Sequence, residues 1–338
     1  MSNPKTMSAQ KTTPAELLHA VEAGRAFVVT SHINPDGDAI GSSLGLARIL
    51  EGFGKKATVW IRDETPRTYL PLAGSDRIHN GAEPPPDFPD GYDGVLVLEC
   101  PSLERNGLES QISQLPMFNI DHHLGNACYG AVDWVDPEAP AVSCLVHRLA
   151  NDLGAAVDAD AATALYLALH TDTGGFRFSN TTAEAFDVAA DLVRCGAEPA
   201  RVAHWLYESQ PETALRLLAA VLDTLTLYDN GRVATLRLER ATAARVGATP
   251  SDSEGLIDYP RSIAGVEAVA LFRELPDGRV KASLRSRGRV DVEKIARAHG
   301  GGGHKNAAGV TLPDPAPILE VERRVAALLA EALAESDR

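Results

Sequence analysis

Four short runs set the limits on how this chain can fold: "AFVVTSH" (26–32), "KATVWI" (56–61), "GVLVLEC" (94–100) and "MFNI" (117–120). A strand with one face in water alternates apolar and polar residues, and these runs do not. Each must therefore be covered on both sides. Helical segments lie between them. "TPAELLHAVEAG" reads as a helix with Thr13 as N-cap, Pro14 in the first helical position and Glu16 completing a capping box. "AIGSSLGLARILEGFG" reads as a helix starting near Ala39 and stopped by Gly54. Buried strands alternating with helices predict an α/β fold, a doubly wound and mostly parallel sheet with helices on both faces. That rhythm lasts to about residue 195. Two helices, 199–208 and roughly 211–225, come next, and then the pattern changes. Asn230-Gly231 and Asp277-Gly278 each sit between apolar runs as hairpin turns, which predicts a smaller α+β domain with a mixed sheet. The expected division is 12–205, a helical linker at 206–227, and 228–338. "PPPDFPDG" (84–91) is read as a Pro-rich crossover loop.

Composition removes several classes of protein. The 338 residues are 44% hydrophobic but only 5% aromatic, so the cores should consist mostly of Ala, Val and Leu. Nothing approaches eighteen consecutive apolar residues, so no membrane span is expected. "MSNPKTMSAQKTTP" lacks the apolar centre of a secretion signal. Cys100, Cys128, Cys144 and Cys195 are scattered without a C-x-x-C pair, which fits reduced cytoplasmic thiols. A net charge of −14 argues against coating long duplex nucleic acid, and leaves a small phosphate ligand open.

The chemistry gathers where strands end. In "TSHINPDGDAIGSS", His32, Asp36 and Asp38 occupy the turn between strand and helix. Ligand crevices of doubly wound sheets lie at the carboxyl ends of the strands, so this turn faces one. Two carboxylates could simply cap the next helix, but His32 has no place in that account. Glu99 comes at the end of "GVLVLEC", Asp121, His122 and His123 follow "MFNI", and Asp172 precedes a Thr-Gly-Gly loop in "ALYLALHTDTGGF". Singly, Glu99 or Asp172 would read as a rim or turn carboxylate. Together these acids and imidazoles point to a metal centre of oxygen and nitrogen donors, suited to Mn, Mg or Fe rather than a structural zinc. His19, His79, His147, His170, His204 and His299 have no such company. Arg177 and Asn180, in "GFRFSN", read equally well as substrate contacts or as loop residues pairing locally.

Between Arg261 and Lys305 stand ten Lys/Arg against five acids, a local excess of +5 in an acidic chain. "SLRSRGR" and "HGGGGHKNAAG" fall within it. The glycines at 300–303 would let backbone amides approach an anion closely, with Arg285 and His304 adding charge.

In order along the chain, His32/Asp36/Asp38, the acid at 99, Asp121-His122-His123 and "TDTGGFRFS" resemble the four motifs of the DHH phosphoesterase superfamily. "GGGHKNAAG" resembles the signature of the DHH-associated domain that accompanies it. The resemblance runs from about residue 15 to 335 and is closest to the bacterial NrnA-like nanoRNases, which also act on pAp. It implies two Mn ions, for which Mg or Co could substitute. His32 and Asp36 would hold the first, Asp38, His122 and Asp172 the second, and Glu99 would bridge them. His123 would face the scissile phosphate, with Asp121 behind His122 fixing its tautomer. Arg105 matches an arginine that often follows the second motif. Arg285, Ser286, Gly302, Gly303 and His304 would hold the terminal phosphate and sugar of a short nucleotide. The implied activity is hydrolysis of nanoRNA, of dinucleotides such as pGpG, and of pAp. A cyclic-dinucleotide phosphodiesterase, for example of cyclic di-AMP, is the alternative. A homodimer is compatible with the family. The family's pyrophosphatase branch lacks the glycine–histidine run. One departure stands out: the family usually has Asp where this chain has Glu99. That admits a tolerated subtype, a changed metal preference, or a catalytically weak nucleotide-binding protein.

Overall fold

The structure is a computed structural model that describes residues 10–253 and 255–337. The chain forms two compact units that divide after Ser209. In the first, the elements run α1 (Ala15–Ala23), β1 (Ala26–Thr30), α2 (Gly37–Gly52), β2 (Lys56–Ile61), β3 (His79–Asn80), β4 (Gly94–Leu98), α3 (Glu109–Ile112), β5 (Met117–Asp121) and β6 (Val132–Val135). Helices α4 (Val142–Asp152), α5 (Ala159–Asp172), α6 (Ala183–Arg194) and α7 (Pro199–Tyr207) complete it.

All six strands are parallel, in the order β3-β2-β1-β4-β5-β6. Successive side chains on a strand alternate between faces. Phe27, Val29, Ile61, Leu96, Leu98 and Ile120 join the large core under α2, α4 and α5. Val28, Trp60, Val95 and Val97 face the other way, under α3 and loops carrying Phe88, Tyr92 and Leu103. The expected cover on both faces is present, with long helices on one side only. From β1 the chain crosses to β2, and from β4 it crosses to β5 in the opposite direction. The carboxyl ends of β1 and β4 therefore lie side by side where the strand order reverses, the usual position for a ligand crevice in an open sheet.

Three local expectations change. Helix α1 starts at Ala15 with Pro14 in the cap position and no side-chain cap, so Thr13 does not form the capping box. Helix α2 begins at Gly37, which puts Asp38 in its first turn rather than in the preceding loop. Strand β5 runs through Asp121, one residue beyond Ile120.

Helix α2 crosses α5 very closely. A Cβ at Gly37 would lie 2.3 Å from Thr171 Oγ1, and one at Gly41 would lie 2.4 Å from the Ala164 carbonyl. Gly45, one further turn along, is similarly pressed on Leu165. Glycine at every fourth position clears one stripe of the helix. The start of α2 and the end of α5 consequently meet, each carrying an aspartate.

The second unit holds α8 (Glu212–Leu222), β7 (Thr226–Tyr228), β8 (Val233–Leu238), α9 (Arg240–Val246), α10 (Asp258–Arg261), β9 (Ala268–Glu274), β10 (Val280–Ser286), α11 (Val292–Arg297), β11 (Gly302–His304), β12 (Ala307–Thr311) and α12 (Ile318–Ser336). Its sheet order is β11-β12-β10-β9-β8-β7, mixed because β8 and β9 run parallel and the other pairs antiparallel. Phe272, Ala282 and Leu284 face α12, whereas Val269, Leu271 and Leu236 face α8. Leu217 and Val221 of α8 are buried in that second core, so this helix, expected within a linker, packs as part of the unit. Among the described residues no helix is long and apolar enough to cross a membrane.

Candidate metal centre

Asp38 is buried, and its carboxylate rests on the start of α4. Val142 N donates to Oδ2 at 2.7 Å, Ser143 N to Oδ1 at 3.2 Å, and Ser42 Oγ to Oδ1 at 2.6 Å. Free amides at a helix N-terminus favour an anion at this spot. Asp172, the last residue of α5, is held by Asn180 Nδ2, 3.2 Å from its Oδ2. Of the two readings of Asn180, local pairing describes these contacts, which also include the Pro140 carbonyl at 2.9 Å.

Glu99 follows β4 with φ +54°, a left-handed conformation that side-chain-bearing residues seldom adopt. The bend turns the longer acid back over the strand ends. Its Oε2 lies 3.4 Å from His122 Nε2 and its Oε1 lies 3.6 Å from His123 Nε2. His122 Nε2 is also 3.8 Å from Asp172 Oδ2. Two sets of ligand atoms thus fall within 4.8 Å of one another: Glu99, His122 and His123, and Asp38, His122 and Asp172. His32 and Asp36 sit beside the cluster as a pair, 3.8 Å apart, and belong to neither set. Asp36 Oδ1 accepts from Ala39 N at 3.0 Å, so it does cap α2.

The three imidazoles are held alike. His32 Nδ1 is 2.8 Å from the Ile33 carbonyl, His122 Nδ1 is 3.0 Å from the Ala139 carbonyl, and His123 Nδ1 is 2.7 Å from Asp121 Oδ1. A carbonyl or carboxylate oxygen accepts, so Nδ1 carries the hydrogen and, in the neutral ring, Nε2 holds the lone pair. Such an outer partner is the usual companion of a ligating histidine. The expected pairing of Asp121 with His122 is corrected here. Asp121 takes the Nδ1–H of His123, and it touches His122 only through that residue's backbone N, at 2.8 Å. A strand end aims Asp121 along the chain toward the second histidine, while loop residue Ala139 reaches the first.

Burying three carboxylates together has electrostatic consequences. Burial, reinforced by Glu99 and Asp172, pushes the Asp38 pKa well above the usual carboxylate range. Burial chiefly raises Asp172 to about 7, with Glu99 and Asp36 adding to it and His122 opposing. For Glu99, burial is outweighed by His122 and His123, and the pKa is held below normal. For His122, burial is outweighed by Glu99, Asp172 and Asp38, and its pKa stands well above the imidazole value. His123 is raised in the same way, mainly by Glu99 and Asp121 against burial.

The remaining expected residues belong to neither ligand set. Arg105 is half-buried, and its backbone carbonyl accepts from Ile33 N at 2.8 Å, beside the β1 turn. In the second unit, Lys281, Ser283 and Arg285 line the face of β10 opposite its buried Val280, Ala282 and Leu284. The Arg285 side chain has one hydrogen bond, to the Leu284 carbonyl at 3.0 Å, and no ion-pair partner among the described residues. Ser286 Oγ accepts from Gly288 N at 3.0 Å and Val290 N at 3.2 Å, organising the turn after β10. Gly302 and Gly303 are not loop residues. They form β11, paired with Gly309 and Ala308. Gly303 has φ +145°, and a Cβ there would lie 2.4 Å from the Ala307 carbonyl, so the hairpin itself demands glycine. The side chain of His304 lies outside the described residues.

The sequence reading passed over several supports: the α4 amides under Asp38, the Ala139 carbonyl, Asn126, and the α2 glycine stripe. Only the stripe carried a local signal, Gly37-x3-Gly41-x3-Gly45.

Known proteins match this arrangement. The chain is 36% identical over 298 residues to the bifunctional oligoribonuclease and PAP phosphatase NrnA of Thermus thermophilus, covering 88% of this chain and 87% of that one. It is 28% identical to the protein of the same name in Bacillus subtilis, covering 88% and 92%. The crystal structure of an exopolyphosphatase-related protein from Bacteroides fragilis superposes with a TM-score of 0.88 at 28% identity, covering 94% and 96%. Residues 26–169 match the N-terminal domain of the DHH family and residues 230–335 match the DHHA1 domain. The chain belongs to the DHH family.

Proposed function

We propose that this chain is a metal-dependent hydrolase of phosphodiester and phosphomonoester bonds, acting on very short oligonucleotides and on pAp. The observation that carries the reading is the convergence of Asp38, Glu99, His122, His123 and Asp172 at the carboxyl edge of the sheet. The names of the Thermus and Bacillus relatives supply the substrate class.

The donor set fits divalent cations. Glu99 Oε2 is buried with no hydrogen-bond partner of good geometry among the described residues, facing only the His122 imidazole at 3.4 Å, and a divalent cation would satisfy it. Nitrogen and carboxylate oxygen, with no thiolate in either ligand set, suit Mn, with Mg and Co as substitutes. Asp38, His122 and Asp172 would hold one ion, His32 and Asp36 the other, and Glu99 would lie between. Divalent cations in such a centre polarise a phosphoryl oxygen and bring the pKa of water toward neutrality. His123 then serves as proton donor to the leaving oxygen, or stabilises charge on phosphorus, through Nε2. Its Nδ1–H stays on Asp121. Arg285, a half-buried cation with no ion-pair partner among the described residues, anchors the terminal phosphate of the substrate. Arg105, Ser286, Gly302, Gly303 and His304 belong to the same substrate-binding proposal. The cytoplasm, where short RNA fragments arise, is the proposed site of action.

Metal-free protein, titrated with Mn, Mg or Co and offered pAp, pGpG, very short RNAs and cyclic di-AMP, tests this. Metal-dependent turnover of pAp and dinucleotides, abolished in His123→Ala, is the expected result. Tight nucleotide binding without turnover under any metal refutes it and leaves a binding protein. Turnover restricted to cyclic di-AMP reassigns the substrate.

A further inference from the structure

Behind His123 lies a buried polar cluster that the proposed chemistry does not use. Asp121 is fully buried and spends Oδ1 on His122 N and His123 Nδ1. Its other oxygen, Oδ2, receives Asn126 Nδ2 at 2.6 Å. Asn126 is 8% exposed and sits three residues beyond His123. Its orientation is fixed from the far side. Cys128 N, which can only donate, lies 2.8 Å from Asn126 Oδ1, and Asn119 Nδ2 lies 2.8 Å from the same oxygen. The Asn126 amide nitrogen must therefore point at Asp121. Asn119 Nδ2 is tied in turn to Asp133 Oδ1 at 2.9 Å.

We propose that Asn126 is a positioning residue for His123, acting through the Asp121 carboxylate. A carboxylate can turn about its Cβ–Cγ bond and exchange its two oxygens. With Oδ2 held by a 2.6 Å hydrogen bond, Oδ1 stays aimed at His123. The imidazole then keeps its hydrogen on Nδ1 and presents Nε2 toward Glu99, 3.6 Å away. Removing the Asn126 amide leaves a buried carboxylate oxygen without a donor, and the carboxylate re-aims toward whatever donor remains. His32 and His122 lean on backbone carbonyls instead, so they are indifferent to residue 126. The catalytic consequence rests on the role proposed above for His123, whereas the positioning itself does not.

The test uses full-length protein with 15N-labelled histidine, free of metal, observed on the alkaline side of the imidazole titrations. Long-range 1H–15N spectra report which ring nitrogen of each histidine carries the hydrogen. In the wild type all three are expected as the Nδ1–H form. In Asn126→Ala, His123 is expected to become a mixture of both forms while His32 and His122 are unchanged. In the Mn-loaded enzyme kcat on a dinucleotide is expected to fall about 10–100-fold at unchanged KM and Mn content. A merely structural residue would lower the melting temperature and leave the tautomer as it was. If Asn126→Ala does not fold, Asn126→Leu fills a similar volume while losing the donor, and is read in the same way. An unshifted His123 tautomer in the folded variant overturns the proposal at any activity. A shifted tautomer in a protein with no phosphoesterase activity upholds the positioning and refutes the function proposed above.

Discussion

Replacing Gly41 by alanine adds one methyl group, and the structure indicates what it should do. The new Cβ would lie 2.4 Å from the Ala164 carbonyl, 2.9 Å from Ala168 Cβ and 3.1 Å from Ala168 N. Two of these three neighbours are backbone atoms, so no side chain can swing aside. Helices α2 and α5 have to separate by about 1 Å to restore ordinary contact distances. Overpacking of this kind costs roughly 1–3 kcal/mol, which for a unit of this size lowers the melting temperature by roughly 2–12 °C. Separation also draws Asp38 at the start of α2 away from Asp172 at the end of α5. Metal affinity should therefore fall about 10–100-fold, as it does when groups orienting ligands are disturbed. Gly52→Ala provides the control on the same helix, because no atom lies within 4 Å of a Cβ there. It should leave Mn binding unchanged and stabilise the protein by about 0.4–1 kcal/mol, by restricting the unfolded chain. Thermal melts of the metal-free protein and calorimetric Mn titrations of both variants provide the readout. A Gly41→Ala protein that melts and binds Mn like the wild type refutes the claim that this helix crossing sets the ligand geometry.

Three further outcomes are expected. Asp172, with a pKa of about 7, and His122, raised well above its ordinary value, both hold protons that a cation must displace. Apparent Mn affinity should thus drop by up to about a hundredfold per pH unit below neutrality, where both protons are bound, and level off only above the raised His122 pKa; calorimetry across that range would show no slope if these groups do not ligate. Glu99→Asp withdraws the carboxylate from both His122 and His123, so metal affinity should fall about tenfold in a chain whose backbone at 99 is bent for the longer acid; tighter binding by the aspartate variant contradicts this. Arg285→Ala should raise KM for pAp about 10–100-fold and change kcat little, the signature of uniform substrate binding; a kcat loss at constant KM would move Arg285 into the reacting centre.

Both folds were legible because the strands are short and apolar and the turns carry Asn-Gly and Asp-Gly, signals confined to a few neighbouring residues. The acids and imidazoles were legible for a related reason: they gather at the ends of β1, β4 and β5 and of helix α5, and four such groups in one order leave few alternatives. What escaped was any partner chosen across the fold. Thr13 reads as a cap, yet Pro14 takes that position. The glycines at 302 and 303 read as backbone open to an anion; they lie in strand β11, and the close approach of Ala307 and Ala308 requires glycine at 303.

Asp-His-His shows most clearly where sequence reasoning stops. Adjacent letters suggest that Asp121 serves its neighbour His122. Strand β5 extends through Asp121, and the chain then turns, so the Asp121 carboxylate meets the ring two residues on, not the adjacent one. His122 is instead steadied by Ala139, seventeen positions away, through a backbone atom that leaves no trace in the identity of residue 139. Two identical side chains thus receive different second partners, a carbonyl and a carboxylate. A neutral carbonyl can orient an imidazole; a carboxylate can also stabilise its charged form. Under the function proposed above, that difference would suit His123 to donate a proton and His122 to ligate, and it depends on a partner choice that the spacing of the motif does not encode.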